Sequence, residues 1–462
     1  MKKTEEKKNP LLYENESAAK TFTDKQIKLA FDFAEGYKDF IARSKTERDA
    51  VKEIINAASA KGYVPFEYST KYKPGEKIFF NNRNKAVILA VIGKKSLDNG
   101  VRIMASHIDS PRLDFKPAPV YEDGHMAFFK THYYGGIKKY QWPTIQLAIH
   151  GTVIKADGTS VDIEIGERPE DPVFYINDLL PHLDRAQGQK KVSEMIPAEN
   201  LNVLAGSLPL ADAESSAIKL NVLTLLKEKY DICEEDLLTA ELCAVPAAQP
   251  RDTGLDRSMI AAYGHDDKVC AYPSLQVMLE IAKAPEYTTV CVFADKEETG
   301  SNSNTGLDTN YLYDFVADLA EAQKSNIRKT WAMTKCLSAD VNACYDPNFP
   351  EVFEKMNSAY INHGVVLTKY TGAGGKSSTN DATAEFFAEI RGLMNANKVC
   401  WQSAELGKTD VGGGGTVAKY ISKLNADVID IGVPVLSMHA PVEIISKLDL
   451  YSTYLAFKAF VK

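Results

Sequence analysis

Two neighbouring carboxylates, Glu297 and Glu298, follow an apolar stretch of the chain. Residues 288–292 are β-branched and apolar, which is typical of a buried strand, and residues 293–301 then turn to acid, Gly and Ser. In an open α/β sheet, ligand sites form outside the carboxyl ends of the strands. Because adjacent like charges in a confined site need a neutralising cation, the pair predicts a metal site in which one Glu binds the metal and the other takes a proton from water. For an isolated pair, the alternative is a solvated turn before a helix.

Other polar residues occur in the same setting, at the end of a predicted strand or the start of a predicted helix. They are His107 after residues 101–106, Asp266 before a helix that ends near residue 284, Asp340 at the end of 334–340, and His439 after 426–432. Asp109 is placed to fix the tautomer of the His107 imidazole. Taken singly, each has a structural interpretation, such as a helix N-cap or a solvated turn.

Taken together, these residues are the set that a pair of zinc ions requires. One shared carboxylate, with one His and one carboxylate for each ion, would hold the pair, and one carboxylate is left over as general base. The recurrence of the same context at every position favours a cocatalytic metallohydrolase over a series of unrelated structural roles.

The composition excludes several other classes of function. The 462 residues are 45% hydrophobic and 25% charged, with a net charge of -8, so clustered Lys and Arg for nucleic acid or an anionic membrane surface are not expected. The charged segment 1–8 is not followed by an apolar region, so no signal peptide is predicted, and no stretch approaches the roughly 20 apolar residues that span a bilayer. Seven cysteines without a CxxC pair indicate reduced thiols in a cytoplasmic protein.

The order of helical and strand-like patterns predicts an α/β fold. Two amphipathic helices at about 23–42 and 46–61 precede strands at 77–80, 85–93 and 101–106, and strand and helix alternate again from about residue 258. Between them, residues 119–250 contain short strand-like runs and a loop-rich segment. We therefore expect a three-layer catalytic domain with a mixed central sheet, formed by residues 1–118 and 251–462, and an inserted strand-rich domain at 119–250.

Two glycine-rich loops lie in the second part of the catalytic domain. The loop 371–380 contains Gly-Lys-Ser, but Tyr370 occupies the position of the first glycine of a phosphate-binding P-loop, so that motif is absent. The loop 412–415, which includes Gly414, would offer backbone N–H groups to a substrate oxygen. A tight turn that needs positive φ is the alternative.

The candidate ligands lie in short motifs, which are His107-Ile-Asp-Ser-Pro, Asp266-Asp267, Asp295-Lys-Glu297-Glu298-Thr-Gly-Ser, Ser338-Ala-Asp340 and Ser437-Met-His439. These motifs resemble those of the aspartyl aminopeptidase family, which belongs to the clan of dizinc aminopeptidases, and the resemblance covers nearly the whole chain. It implies a metallo-aminopeptidase that acts on peptides. It also implies how the ligands are shared: His107 and Asp340 on one zinc, Glu298 and His439 on the other, Asp266 between them, and Glu297 as general base.

The resemblance further implies an assembly and a substrate site. The insert would form a dimer contact within a tetrahedral shell of twelve subunits, and His182 would reach a neighbouring subunit's site to help bind substrate and the oxyanion. Lys369 and Lys376 would lie on the substrate side. The sequence departs from the family pattern at Ala343 and in the loop 372–375, so a preference for amino-terminal Asp or Glu stays open.

Two other functions remain to be separated from this one. A related dizinc deacylase would use the same ligands on N-acylated amino acids, and a non-enzymatic shell protein could descend from a peptidase. The presence of every expected ligand and of the general base speaks against the shell protein.

Overall fold

The computed structural model describes residues 11–13 and 15–462. The charged segment 1–8, on which the absence of a signal peptide was predicted, lies outside them. Among the described residues, no helix has the length and apolar composition that crossing a bilayer requires.

A mixed sheet forms the centre of the region predicted to be the catalytic domain. Within the described residues it has nine strands, in the spatial order Val64–Pro65, Lys77–Asn82, Ala86–Val91, Thr289–Ala294, Arg102–His107, Lys335–Ala339, Asp427–Gly432, Val365–Thr368 and Trp401–Ser403. The middle strands, from Thr289–Ala294 to Asp427–Gly432, are mutually parallel, whereas the strands beside them on both sides run antiparallel. The carboxyl ends of the parallel strands therefore meet at one edge.

Helices cover both faces of this sheet, because its central strands are apolar on both sides. In Ala86–Val91 every residue is buried, with Leu89 in the cluster on one face and Ile88 in the cluster on the other. The first face packs against Asp24–Arg43, Glu47–Ser59, His265–Glu280, Ala384–Ala396 and Lys447–Phe460, and the second against Tyr311–Ala322, Ile327–Ala332 and Ala418–Ser422. The predicted three-layer α/β fold with a mixed sheet is confirmed.

The second sheet is separate and antiparallel. Its strands, in spatial order, are Ser160–Ile165, Leu147–Ile154, Glu241–Pro246, Arg112–Asp123, Met126–Tyr134 and Val203–Gly206. They fall almost wholly within the predicted insert, although Arg112–Asp123 crosses its predicted boundary at residue 118. The division into domains at that residue stays a prediction.

The helix Ala217–Tyr230 packs on the second sheet and was not predicted. Its buried residues are Ile218 and Val222, but Leu220 and Leu225 are 40% and 57% exposed. Because apolar residues lie all around this helix, they do not produce the one-sided spacing that identifies an amphipathic helix. The short helices Val192–Met195 and Glu234–Leu237 lie in the same region.

The remaining elements are short. Arg251–Thr253, Met259–Ala262 and Glu443–Ser446 form a small antiparallel sheet, Asn342–Ala343 pairs with Pro434–Val435, and Ala18–Thr21 is a single helical turn. The small sheet matters for the site, because Met259–Ala262 leads into the helix that carries Asp266, and Glu443 begins its last strand.

Candidate metal centre

Polar side chains converge at the edge where the parallel strands end. His107 is the last residue of Arg102–His107, Glu297 and Glu298 lie in the turn after Thr289–Ala294, and Asp340 follows Lys335–Ala339. Asp266 comes from the first turn of the helix His265–Glu280, and His439 from the turn after Pro434–Val435. Residues far apart in the sequence are thus brought to one place by the sheet.

Their ligand atoms form two groups of three that share one carboxylate. His107, Asp266 and Asp340 form the first group, and Asp266, Glu298 and His439 form the second. The Nε2 atom of His107 lies 3.0 Å from Oδ1 of Asp266 and 3.8 Å from Oδ1 of Asp340. The Nε2 atom of His439 lies 3.2 Å from Oδ2 of Asp266 and 3.5 Å from Oε2 of Glu298. The two oxygens of Asp266 therefore face different groups.

The electrostatics of both groups favour a bound cation. Burial lowers the pKa of His107, but Asp109, Asp266 and Asp340 outweigh it and raise that pKa well above its usual value. Burial likewise opposes protonation of His439, yet Asp266 and Glu298 raise its pKa to about 10. A site that holds an extra proton this strongly also attracts a metal cation.

One buried oxygen in the second group has no hydrogen-bond partner. Oε1 of Glu298 is fully buried, and no described residue donates to it. Burial, followed by the neighbouring Asp266, raises the pKa of Glu298 well above its usual value. An unpaired buried carboxylate is costly unless a proton or a metal occupies it. Imidazole and carboxylate are both ordinary zinc ligands, so the residues present fit this metal.

Asp109 organises more of the centre than its predicted contact with His107. Nδ1 of His107 lies 3.1 Å from the backbone carbonyl oxygen of Asp109, its hydrogen-bond partner, and 3.3 Å from Oδ1 of the same residue, so Asp109 orients the imidazole as expected. Its two oxygens also accept the backbone N–H groups of Glu297 and Glu298, each at 3.2 Å, and the hydroxyl of Tyr134 at 2.6 Å. The carboxylate thus joins His107 to the turn that carries both Glu residues.

Glu443 plays a similar part and was not predicted. It is 1% exposed, and its two oxygens accept the backbone N–H groups of Asp266 at 3.0 Å and His439 at 2.7 Å. The available signal was an acid at the first position of the apolar strand Glu443–Ser446, where a buried charge needs an explanation. The other ring nitrogen of His439, Nδ1, lies 2.9 Å from the carbonyl oxygen of Gly136.

Glu297 belongs to neither group of three, although it faces the same cleft. Burial is the main cause that raises its pKa to about 7. The charges of Asp109 and Asp266 also raise this pKa, whereas those of His107 and His439 lower it. A carboxylate with a pKa near neutrality can both accept and release a proton there.

A cleft of about 490 Å³ opens above these residues. Its lining includes Gly414, as expected, together with Thr371, Leu406, Thr416 and Met438. It also includes Lys419, which sequence reasoning missed because a single Lys in a helical pattern normally indicates only a solvated face.

The structure does not place Lys369 or Lys376 in the lining of this cleft. Both ammonium groups pair with Asp381, Lys376 at 3.1 Å, and the Lys376 ammonium also lies 3.7 Å from the centre of the Tyr370 ring. His182 is likewise absent from its own subunit's metal centre. It lies exposed in the turn Pro181–Leu183 of the insert.

Comparisons with known proteins agree with this arrangement. The family model described as aminopeptidase I zinc metalloprotease (M18) matches residues 40–461. A probable M18 family aminopeptidase 1 from Clostridium acetobutylicum is 47% identical over 462 residues, which cover 98% of this chain and 99% of that protein. The M18 aminopeptidase structure from Thermotoga maritima has a TM-score of 0.93 and 43% identity, covering 98% of this chain and 100% of that one.

A more distant structure shares the fold. The S. cerevisiae mApe1 dodecamer has a TM-score of 0.76 at 20% identity, covering 94% of this chain and 97% of that one. The matches extend over both sheets and over every residue of the metal centre, and the family resemblance inferred from the motifs is confirmed. The chain therefore belongs to the M18 family of aminopeptidase I zinc metalloproteases, which are zinc-dependent hydrolases.

Proposed function

We propose that this protein removes amino-terminal residues from peptides with two zinc ions per subunit and with Glu297 as general base. The observation that carries the proposal is the pair of three-residue groups sharing Asp266, beside a buried carboxylate that belongs to neither. His107 and Asp340 would hold one ion, Glu298 and His439 the other, and Asp266 both.

Zinc in these groups would polarise the scissile carbonyl and lower the pKa of a bound water. Glu297 accepts a proton from the attacking water and then donates it to the nitrogen of the departing amine, as the carbon–nitrogen bond breaks. Asp109 keeps Glu297 near this position through the backbone N–H group that it accepts. Gly414 remains a proposed substrate contact because it lines the cleft, although its own N–H donates to the carbonyl oxygen of Thr371 at 2.8 Å.

We also propose a homo-oligomer in which His182 completes a neighbouring subunit's site. His182 is flanked by the exposed apolar residues Leu179, Leu180 and Leu183, whose exposed fractions are 44%, 49% and 67%. Such a patch on a folded chain favours an interface. The S. cerevisiae mApe1 structure is a dodecamer, which supports a homo-oligomer, and we propose twelve subunits in a dimer-based arrangement for this chain.

The preference for an amino-terminal residue depends on the cations near the cleft. Lys369 and Lys376 remain proposed substrate contacts, but both already pair with the same carboxylate, that of Asp381. Lys419 lines the cleft, lies 4.7 Å from the centre of the Tyr420 ring, and forms no ion pair with any other residue in the described ranges. We therefore propose that Lys419, more than the other two, would favour an acidic amino-terminal side chain.

A cytoplasmic location is proposed on separate grounds. All seven cysteines are unpaired, five of them buried, which is the usual state of thiols in a reducing compartment.

Zinc binding should stabilise the folded protein through Asp266. At a free zinc concentration of 100 times the dissociation constant, one site contributes about 2.7 kcal/mol. We expect the Tm of the metal-stripped protein to rise on adding zinc, with two ions bound per chain by elemental analysis. Asp266→Asn should reduce both the rise in Tm and the number of bound zinc ions. Asp32→Asn, which changes an exposed ion pair with Lys28, should leave both quantities unchanged. A single ion per fully active chain would contradict the dizinc proposal.

Glu297→Gln should remove turnover while leaving zinc bound. General base catalysis contributes about 10²- to 10⁴-fold, so kcat should fall by at least about 100-fold with unchanged zinc content. Release of the first residue is measured on short peptides with a free or an acetylated amino terminus. Wild-type cleavage restricted to acetylated substrates would indicate a deacylase, no cleavage of either would favour a shell protein, and an active Glu297→Gln variant would remove Glu297 as the base.

The proposed role of His182 can be tested by mixing inactive subunits. His182→Ala and Glu297→Gln should each be nearly inactive alone, but a mixed dimer would contain one site with both residues intact. Co-expression of the two variants should therefore restore activity to part of the sites, measured against each variant expressed alone. If no activity returns in verified mixed assemblies, His182 does not serve a neighbouring site.

Substitution of Lys419 tests which lysine binds the acidic amino-terminal side chain of the substrate. A charge-assisted hydrogen bond contributes about 1.5–3 kcal/mol, or roughly 10- to 100-fold. We expect Lys419→Gln to lower kcat/KM by this factor for peptides beginning with Asp or Glu and to leave Leu peptides unchanged. Lys369→Gln and Lys376→Gln are the matched comparisons. If either variant loses more kcat/KM for acidic peptides than Lys419→Gln does, that residue and not Lys419 recognises the acidic side chain.

A further inference from the structure

One short segment of the inserted sheet contacts both halves of the metal centre. It is residues 134–136, at the end of the strand Met126–Tyr134, whose last residue pairs in register with Arg112. We propose that Tyr134 is a positioning residue for the reaction, which fixes the Asp109 carboxylate and thereby the geometry of the proposed ligands around it. This inference rests on the proposed function only for the roles of His107, Glu297 and Glu298.

The contact between Tyr134 and Asp109 is short and buried. The Tyr134 hydroxyl donates to Oδ2 of Asp109 at 2.6 Å, and the two residues are 6% and 0% exposed. An ionised carboxylate only accepts hydrogen bonds, and that of Asp109 accepts from the hydroxyl of Tyr134 and from the N–H groups of the 297–298 turn. Its Oδ1 also lies 3.3 Å from Nδ1 of His107, which is hydrogen-bonded to the backbone carbonyl oxygen of Asp109. Without the hydroxyl, one of these restraints on the carboxylate is missing.

The Tyr134 ring is itself held in place by cations. The guanidinium of Arg112 lies 4.2 Å from the ring centre and the ammonium of Lys296 lies 5.0 Å from it. Arg112 is 5% exposed and donates to Glu47 at 2.7 Å. These contacts fix the position of the ring and so direct its hydroxyl at Asp109. A Phe at this position would keep the ring contacts and lose only the hydroxyl.

The next two residues reach the second metal group. The carbonyl oxygen of Gly136 lies 2.9 Å from Nδ1 of His439, which fixes the tautomer that leaves Nε2 free for a metal. Gly135 has φ +76°, and a Cβ added there would lie 3.2 Å from Oε2 of Glu298. The backbone approaches this group closely only because a glycine is present.

Loss of the Tyr134 hydroxyl should thus act on metal binding and on kcat rather than on substrate affinity. Changes in partners of metal ligands typically cost about 10- to 100-fold in metal affinity or activity. For Tyr134→Phe we expect a decrease of this size in zinc affinity or in kcat, with KM within about twofold of the wild-type value, because the cleft lining is unchanged.

The experiment compares Tyr134→Phe with Tyr133→Phe. Tyr133 is the adjacent residue of the same strand, is 41% exposed, and faces away from Asp109, so its hydroxyl serves as a matched control. Zinc affinity is measured by chelator competition, site geometry by the visible spectrum of the cobalt-substituted protein, and kcat and KM on a free-amine peptide. Tyr134→Phe should change the affinity or kcat and the spectrum, and Tyr133→Phe should change none of them. Wild-type values for Tyr134→Phe in all three would overturn the proposal.

A double substitution tests whether Tyr134 acts through Asp109. If it does, Tyr134→Phe combined with Asp109→Asn should be no worse than Asp109→Asn alone, since the restrained group is already changed. Additive losses would overturn the route through Asp109. The proposed aminopeptidase function and the proposed role of Tyr134 are tested by different measurements. Zinc-dependent cleavage by the wild-type protein tests the function, whereas the comparison of variants tests only the role of Tyr134.

Discussion

The crowding of carboxylates at one edge of the parallel strands is the constraint on which the rest of the site depends. Asp266 and His107 are buried, and Glu298, Asp340 and His439 lie beside them at the wall of the cleft. Burying even one ion costs several kcal/mol without compensation, so this cluster requires protons or cations. The parallel strands impose the crowding, because their carboxyl ends are only one strand spacing apart.

Supporting carboxylates hold the ligands in position. Glu443 bridges two elements by accepting the backbone N–H groups of Asp266 and His439, and Asp109 accepts both N–H groups of the 297–298 turn; neither acid belongs to a metal group of three. Burial opposes ionisation of Asp109, but His107 and Tyr134 hold its pKa below its usual value, so its charge strengthens the attraction for a metal, whereas burial raises the pKa of Glu443 to about 8. The antiparallel sheet reaches this network through Tyr134 and the following Gly136, so it contributes contacts to the candidate metal centre.

The substrate side is less densely charged. Apart from Glu297 and the proposed metal ligands, the cleft is lined by small, apolar and aromatic residues and by Lys419, while Lys369 and Lys376 share one acidic partner outside it. An interaction with a substrate carboxylate is strong where no protein carboxylate competes. The three lysines proposed to bind an acidic substrate side chain therefore differ in whether a protein carboxylate already pairs with them.

The sequence by itself determined the α/β class and the identity of the clustered residues. Long apolar strands such as Ala86–Val91 and polar residues at strand ends are local patterns, and the ends of parallel strands necessarily meet. It could not identify the helix Ala217–Tyr230, whose apolar residues are not confined to one side. It could not identify Tyr134 either, because a buried hydrogen bond leaves no pattern in the neighbouring sequence, and for Glu443 the signal was a single acid at the start of an apolar strand. The pairing of Lys369 and Lys376 with Asp381, and the approach of Gly136 to His439, were decided only by tertiary structure, because each depends on how separate segments pack together.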